Sequence, residues 1–551
     1  PPDAKDYDDA MSIESLDDVH GHGPGWRLGV HIADVAHFIE PGSPLDEESA
    51  SRGNSVYLPR LVIPMLPEIL SNGICSLQEG VPRYCKSVFI DYDRGGNVRG
   101  TRFASTVIES DKRLEYVEAQ ALIDGDEKKA REHARAEPVY TPEIVEALRT
   151  LKKLSEAIRD RRHKAGMIHL DLPDVELVFD DDGRVVDAVP EDQSYTHTLI
   201  EMFMVEANEA VARLFEDVEV PVLRRVHPTP VPGDTEGLSD FVKVAGFKVP
   251  KNPDRFELQS ILDATAGTPA APAIHMAVLR TLTRAEYSPS LIGHFALASD
   301  AYAHFTSPIR RYPDLTVHRA LLAYLKRTSN GTAAPKTDKA RAALGRDMSE
   351  DKLCADEETL RSIAGRCNGT EEAATQAERE LRQFLVLQLL ENHIGEDFPA
   401  IVTGVSPKGV FVRLDKYLAE GLCKSEDLPA PGKSSSPAGR EFYKKGVWKI
   451  DKKSGALVEQ NSGRSFSMGD RVTVRISQID LPKREMDLVI ADARERDVGK
   501  SKSVADGLKI GVVEDDKPRK TGAQKRAQRS KSRDKRKSDH RQEKKGKGKR
   551  Q

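Results

Sequence analysis

Four carboxylates crowd the first nine residues of the chain. Asp3, Asp6, Asp8 and Asp9 lie within seven positions, and such crowding raises carboxyl pKa values unless cations are close. Hard cations such as Mg²⁺ and Mn²⁺ prefer carboxylate oxygen, and two of them about 4 Å apart can activate a water and stabilise the leaving oxygen of a phosphodiester. A calcium loop is excluded, because Lys5 would occupy a ligand position. The cluster is therefore either a metal site or an acidic turn on a solvated surface.

A second candidate site is the segment 301–314, where prolines flank two adjacent arginines. Arg310 and Arg311 suit phosphate recognition, because the guanidinium fork matches phosphate oxygens. The histidines nearby are expected to be packed or capping residues rather than ligands; they are His294, His304 and His318. The sequence shows no Ser/His/Asp triad, Walker loop or dinucleotide fingerprint. The two clusters together therefore indicate phosphate chemistry that uses none of those motifs.

Apolar periodicity predicts the elements that must position these residues. Residues 26–38 alternate as in a half-buried strand, and the Pro- and Gly-containing segment 41–44 ends it. Apolar stripes predict helices at 142–162, 196–215, 273–287 and 374–391. Strands early and helices later indicate one large mixed α/β (α+β) domain over 1–390.

The pattern changes after residue 395. Residues 400–414 alternate around the turn 406–409, a hairpin signal, and further strands are predicted at 469–476 and 488–490. A loop rich in Pro and Ser is predicted at 429–437. Short strands joined by polar turns fit a small closed β-barrel, an OB fold, over 395–492.

Charge is distributed unevenly along the 551 residues. Residues 517–551 hold 17 Lys and Arg against 3 Asp and Glu, a net +14, which leaves −18 for the rest of a chain whose overall charge is −4. The segment has almost no apolar residues and cannot build a core, so 493–551 is predicted to be a disordered basic tail. Such a tail either contacts nucleic acid or serves only solubility.

The sequence also bears on the compartment. No apolar run reaches the roughly 18–20 residues that span a bilayer, so an integral membrane protein is not expected. The five cysteines are scattered, odd in number and without CxxC spacing. A disulfide framework or structural zinc site is therefore not expected. A reducing, cytoplasmic compartment is expected instead.

Several motifs resemble one known family in the same order. Residues 3–9, Asp-Ala-Lys-Asp-Tyr-Asp-Asp, resemble the active-site signature of the ribonuclease II/ribonuclease R superfamily. Residues 55–73 and 293–319 resemble it too, the latter through His-Phe-Thr-Ser-Pro-Ile-Arg-Arg-Tyr-Pro-Asp. Residues 404–422 resemble its C-terminal S1-type RNA-binding domain, and the basic tail is more similar to the ribonuclease R branch. The resemblance implies an RNB-type catalytic domain followed by an S1-type OB barrel.

The resemblance also implies an activity. It implies a processive 3′-to-5′ exoribonuclease that releases nucleoside 5′-monophosphates from single-stranded RNA, with Mg²⁺ or Mn²⁺ as cofactor. Asp6, Asp8 and Asp9 would serve the metal, with Asp8 the most critical for turnover. Arg310 would hold the scissile phosphate and its developing charge.

Further residues are implied to contact the RNA. Tyr57 would stack on or clamp the terminal bases, and Tyr116 and Glu201 would hold the 3′-terminal nucleotide and its ribose. A purely structural role stays open for all three. The residues implied to bind RNA are Tyr57, Tyr116, Glu201, Arg310 and Arg311.

The remaining expectations concern the context of the chain. The family has another active-site Asp directly before position 1, and cold-shock domains further upstream, so the chain is expected to be a fragment. It is expected to be a cytoplasmic monomer, with the ribosome or other RNA-decay factors as partners. The main alternative is a catalytically impaired RNA-binding protein, and a weaker one is a translation-associated RNA-binding factor. The presence of Asp6, Asp8, Asp9 and Arg310 favours the enzyme.

Overall fold

The structure is a computed structural model. It describes residues 4–493, apart from 136–137, 173, 232, 234, 236, 240–241, 243–248, 269–270, 436–440 and 452–454. The predicted basic tail lies, from residue 494 onward, outside the described residues. Within the described part, no helix is both long enough and apolar enough to cross a membrane.

Many of the helices begin with a side-chain cap. In the described part of the chain, six helices start after a Ser, Thr or Asp whose side chain accepts the N–H of the third helical residue. This hydrogen bond satisfies a backbone donor that has no partner within the helix. The α-helices are α1 (Pro44–Arg52), α2 (Tyr116–Asp124), α3 (Glu127–Glu132), α4 (Pro142–Lys164), α5 (Tyr195–Asp217), α6 (Arg255–Thr265), α7 (Ala271–Thr281), α8 (Tyr312–Arg327), α9 (Asp338–Ser349) and α10 (Glu357–Leu390).

The N-terminal part is built on an antiparallel sheet of four strands in the order β1-β2-β5-β6. Helices α4 and α5 share one buried core with β2 and β5. Three two-stranded ribbons, β3-β4, β7-β8 and β9-β10, lie outside this sheet. The strands are β1 (Asp9–Leu16), β2 (Gly25–Ala33), β3 (Val56–Leu58), β4 (Leu61–Ile63), β5 (Arg83–Asp93), β6 (Val98–Ile108), β7 (Val175–Phe179), β8 (Val185–Pro190), β9 (Arg224–Val226) and β10 (Glu286–Ser288).

The strand predicted at 26–38 is shorter and more buried than expected. It ends at Ala33, and a 3₁₀ turn follows at Val35–His37. The alternating apolar residues lie in one buried core with α4 and α5. His31, on the opposite face, is buried as well, because its ring nitrogens lie 2.9 and 2.7 Å from the hydroxyls of Ser12 and Ser87. A polar side chain whose hydrogen bonds are all made can be buried at little cost in free energy. The alternation of apolar residues does not show that such a side chain is buried.

The helix predictions have mixed outcomes. Those at 142–162 and 196–215 are confirmed by α4 and α5. The predicted helix 273–287 is wrong at its end, because α7 stops at Thr281 and β10 pairs with β9 instead. The predicted helix 374–391 begins too late, since α10 starts at Glu357. Most of residues 357–373 are exposed, and the buried Leu360, Ala364 and Cys367 give only a short apolar stripe there.

The C-terminal part is a closed barrel of five strands in the order β11-β12-β13-β20-β19. Its interior is fully buried at Val402, Val410, Val412 and Val474. The predicted hairpin at 400–414 is confirmed. The predicted loop at 429–437 is wrong at its start, because β14 pairs there with β15. The strands are β11 (Asp397–Ser406), β12 (Gly409–Leu414), β13 (Glu420–Lys424), β14 (Pro429–Ser435), β15 (Glu441–Lys445), β16 (Trp448–Ile450), β17 (Leu457–Glu459), β18 (Ser465–Phe466), β19 (Arg471–Asp480) and β20 (Glu485–Ala493).

The predicted fold class is confirmed: a mixed α/β part is followed by a small OB-type barrel. The two parts share contacts through the β7-β8 ribbon. Val175 and Ala188 of that ribbon lie in the apolar core of the barrel. Lys416 of the barrel also lies 2.7 Å from the Asp187 carboxylate. The ribbon therefore fixes the barrel to the N-terminal part.

Candidate active site

The acidic segment is an extended stretch that leads into β1. Two backbone bonds hold it: the Ala33 N–H donates to the Asp8 carbonyl at 2.9 Å, and the Leu77 N–H donates to the Tyr7 carbonyl at 3.0 Å. Burial raises the pKa of Asp9, while Arg310 lowers it. Asp9 and Asp8 therefore both lie within electrostatic reach of the Arg310 guanidinium.

Asp8 is the most constrained of these carboxylates. It is 5% exposed, and its Oδ1 accepts the Ile309 N–H at 2.9 Å. Its Oδ2 lies 3.6 Å from Nε of Arg310. Burial raises the pKa of Asp8 well above its usual range; Arg310 and the Ile309 N–H counteract this, and Asp9 adds to it. The structure thus joins the two clusters that the sequence separates by about 300 residues.

Arg310 is presented by a tight turn. The buried carboxylate of Asp314 accepts the Ser307 N–H at 2.8 Å, and Ser307 Oγ accepts from Nη2 of Arg310 at 3.0 Å. The Arg310 carbonyl accepts the Ser55 N–H at 3.0 Å, which ties the turn to the strand that carries Tyr57. The Arg310 side chain is 45% exposed, so its other N–H groups are accessible to an incoming phosphate.

Arg311 has a different environment from Arg310. Its Nη2 donates to Oδ1 of Asp314 at 2.7 Å, and Asp314 is completely buried. Paired in this way, Arg311 neutralises the carboxylate that supports the Ser307 turn. Its predicted contact with RNA stays a prediction, and Asp314 is a supporting residue that sequence reasoning missed.

Tyr57 lies beside the acidic segment. Its hydroxyl donates to Oδ2 of Asp6 at 3.3 Å, and 37% of the residue is exposed. Burial, followed by the charge of Asp6, raises the pKa of the Tyr57 hydroxyl. An accessible ring at this position is suited to stacking on a base.

Tyr116 lies near the acidic site, whereas Glu201 lies on α5 among other charged groups. Tyr116 is the first residue of α2. Burial and the charge of Asp9 raise its pKa, while Arg310 lowers it, so the phenol lies within electrostatic reach of both. Desolvation raises the pKa of Glu201 on α5, while His169, Arg159 and Arg162 nearby lower it. The predicted nucleotide contacts of Tyr116 and Glu201 stay predictions.

His197 is a neighbour of Tyr116 that the sequence reasoning missed. Its imidazole stacks on the Tyr116 ring with centroids 3.8 Å apart, and its Nε2 lies 3.0 Å from Oδ2 of Asp192. His197 precedes Glu201 by four residues on α5, which places both on one helix face. That i,i+4 spacing was the one available sequence signal.

The three histidines near Arg310 in the sequence, His294, His304 and His318, are packed, as expected. His304 Nδ1 lies 2.9 Å from the Tyr287 hydroxyl, and His318 Nε2 lies 2.8 Å from the Phe305 carbonyl. Burial lowers the pKa of His318 to about 4 and that of His294 to about 3. These rings are therefore neutral near pH 7 and support the segment that carries Arg310.

The comparisons with known proteins define the class. Residues 1–327 match the RNB domain and residues 391–491 match the S1 RNA binding domain. The chain therefore belongs to the RNB domain family, as its motifs predict.

Ribonucleases R are among its relatives. The chain is 34% identical to the ribonuclease R of Thermotoga maritima, with 90% of this chain and 63% of that protein covered. It is 32% identical to the ribonuclease R of Escherichia coli, with 91% and 57% covered. It thus spans about three fifths of the length of these curated relatives.

Solved structures show the same similarity. The apo form of Mycoplasma genitalium RNase R has a TM-score of 0.74 at 28% identity, with 89% of this chain and 70% of that chain covered. The same enzyme in complex with ribose methylated single-stranded RNA gives the same values.

The family implies a divalent metal, and the donor chemistry of the site fits one. Among the described residues, which exclude Asp3, no three His, Cys, Asp or Glu side chains form a group that could hold a metal ion. The metal-binding role expected of Asp6, Asp8 and Asp9 stays a prediction. Mg²⁺ often needs only one or two carboxylates, with water and substrate phosphate completing its shell. Asp8 with one neighbouring carboxylate meets that need.

Proposed function

We propose that the protein is an exoribonuclease that degrades single-stranded RNA processively from the 3′ end to nucleoside 5′-monophosphates. The observation that carries this proposal is the contact of buried Asp8 with the turn of Arg310. A carboxylate that can hold a cation and a guanidinium that can hold a phosphate are the two groups that phosphodiester hydrolysis needs side by side. The similarity to ribonucleases R supports the same reaction.

The residues divide the work by their chemistry. Asp8, with Asp6 or Asp9, would hold Mg²⁺ or Mn²⁺, which when bound lowers the pKa of a water and offsets charge on the phosphate. Arg310 would bind the scissile phosphate through its free N–H donors. Because Asp314 and Ser307 fix the turn of Arg310 before substrate arrives, little reorganisation is needed as charge develops.

The RNA would be held by groups on both sides of this centre. Tyr57 would stack on bases, and Tyr116 and Glu201 would contact the 3′-terminal nucleotide and its ribose. The C-terminal barrel would bind the strand before it enters, because it matches the S1 RNA binding domain. A pocket that hydrogen-bonds the 2′-hydroxyl would reject DNA.

The organisation and setting of the chain are part of the proposal. The domains are 1–390 for catalysis, 395–492 for RNA binding and 493–551 as a basic tail. A cytoplasmic setting fits the five cysteines, which are all free and buried. The chain is proposed to act there as a monomer. The ribosome or other RNA-decay factors are the proposed partners.

The test is to incubate single-stranded RNA with the protein and Mg²⁺ and to resolve the products, using a 5′ label to follow the shortened strands and a uniform label to follow the released nucleotides. Stepwise shortening with release of nucleoside 5′-monophosphates supports the proposal. An intact strand that is nevertheless bound would contradict it and favour the RNA-binding protein. Asp8→Asn is the informative variant, and Asp17→Asn, an exposed carboxylate after β1, is its matched control.

A further inference from the structure

The first turn of α5 holds Tyr116 at two points. Thr196 Oγ1 donates to the Tyr116 backbone carbonyl at 2.9 Å. The imidazole of His197 stacks on the Tyr116 ring, with centroids 3.8 Å apart and planes inclined by 23°. The backbone bond fixes the start of α2, and the stack restricts the rotation of the phenol ring. Both halves of the residue are therefore fixed by one short segment.

His197 is itself oriented by a carboxylate. Its Nε2 lies 3.0 Å from Oδ2 of Asp192. Asp192 in turn accepts the N–H and the hydroxyl of Ser194 at 3.1 and 2.7 Å. Partial burial alone would raise the pKa of Asp192, but hydrogen bonds from Ser194 and His197 outweigh it and hold that pKa below its usual range. The carboxylate is thus ionised near pH 7, and it fixes the ring nitrogen that faces it.

Tyr116 connects this pair to the acidic site. The ring that His197 covers belongs to the phenol that senses Asp9 and Arg310. Glu201 follows His197 by one helical turn on α5. The stack is therefore partly exposed at His197, while its Tyr116 ring lies within electrostatic reach of the acidic site.

We propose that His197, oriented by Asp192, is a positioning residue that sets the Tyr116 ring beside the acidic site and so helps to seat the terminal nucleotide of the RNA. The proposal rests on the proposed function. His197 acts through Tyr116 and requires no contact with RNA. A His–Asp pair without such a role joins α4 to α6, where His163 Nε2 lies 2.9 Å from Asp263 Oδ2 and both side chains are about half exposed.

The test is a double-mutant cycle on kcat/KM for single-stranded RNA. His197→Ala is expected to lower kcat/KM roughly 3- to 10-fold, the range of an aromatic stack, and His197→Phe, which keeps a flat ring, to restore most of it. In a Tyr116→Ala background, His197→Ala should have no further effect. His163→Ala is the matched control and should leave kcat/KM unchanged. An equal loss in both backgrounds, or no loss in either, overturns the proposal.

Binding separates this proposal from the proposed function. The affinity for a fluorescent oligoribonucleotide is measured without divalent cation, and circular dichroism checks the folding of each variant. If the wild-type chain binds RNA but does not hydrolyse it, the proposed function fails. The positioning role is then decided by affinity. It is supported if His197→Ala binds RNA more weakly than the wild type but has no effect in the Tyr116→Ala background. It is refuted if His197→Ala and the wild type bind with equal affinity. Asp192→Asn is the second variant, with a smaller effect expected and the same dependence on Tyr116.

Discussion

Asp8 offers the sharpest separation of catalysis from folding. Its carboxylate accepts the Ile309 N–H and lies near Arg310. Asp8→Asn keeps a carbonyl oxygen for that N–H and removes a buried negative charge, so the folded state should be as stable as the wild type or more so. Asp8→Ala leaves the Ile309 N–H without a partner, which costs about 1–3 kcal/mol. The stability of the two variants should therefore differ although both lose the carboxylate.

Their activity, by contrast, should be equally low. A metal-ligating carboxylate supports several kcal/mol of charge stabilisation in the transition state, and at about 1.4 kcal/mol per factor of ten this predicts a loss of roughly 10²- to 10⁴-fold. RNA binding should persist, because removing a negative charge near Arg310 does not weaken its attraction for phosphate. Single-turnover cleavage, equilibrium binding without divalent cation and urea denaturation measure the three effects. If Asp8→Asn cleaves RNA within tenfold of the wild-type rate, the assignment of Asp8 is refuted.

Three further predictions test other parts of the molecule. Arg319→Met should lower the free energy of unfolding by about 3–5 kcal/mol, because it leaves the buried carboxylate of Asp46, now 2.7 Å from the guanidinium, without its cation; an unchanged urea midpoint would contradict this. Burial lowers the pKa of His31 to about 4, below the value of about 6.5 expected in an unfolded chain. The contribution of neutral His31 to stability is therefore complete above pH 6.5 and is lost as the pH falls toward 4. His31→Gln should reduce the slope of unfolding free energy against pH in this range by at most about 1.4 kcal/mol per pH unit. Deleting 517–551, which lies outside the described residues, should reduce the salt dependence of RNA binding by about 0.7 in log–log slope for each phosphate it contacts, and an unchanged slope would show that the tail does not touch RNA.

Local pattern was sufficient for much of the fold and failed where other forces decide. The long apolar stripes of α4 and α5 predicted both helices, because an amphipathic face repeats with the helical period. The barrel hairpin was predicted because alternation and turn residues are local signals. The start of α10 at Glu357 was missed, because most of residues 357–373 are exposed and the apolar stripe of Leu360, Ala364 and Cys367 is short. The strand β14 at Pro429–Ser435 was missed, since its Pro and Ser residues read as a loop and its pairing with β15 is decided by the sheet.

The sequence by itself determined which residue types are present for the proposed chemistry. The types and order of Asp6, Asp8, Asp9 and Arg310 indicated a cation and a phosphate, and the longer motifs indicated the family. Only the tertiary structure decided which of these groups meet. It joined Asp8 to the Ile309 N–H, paired Arg311 with buried Asp314 rather than leaving both arginines exposed, and stacked His197 on Tyr116. Such contacts join residues far apart in the chain, and they depend on burial and hydrogen-bond satisfaction, which no local window of sequence contains.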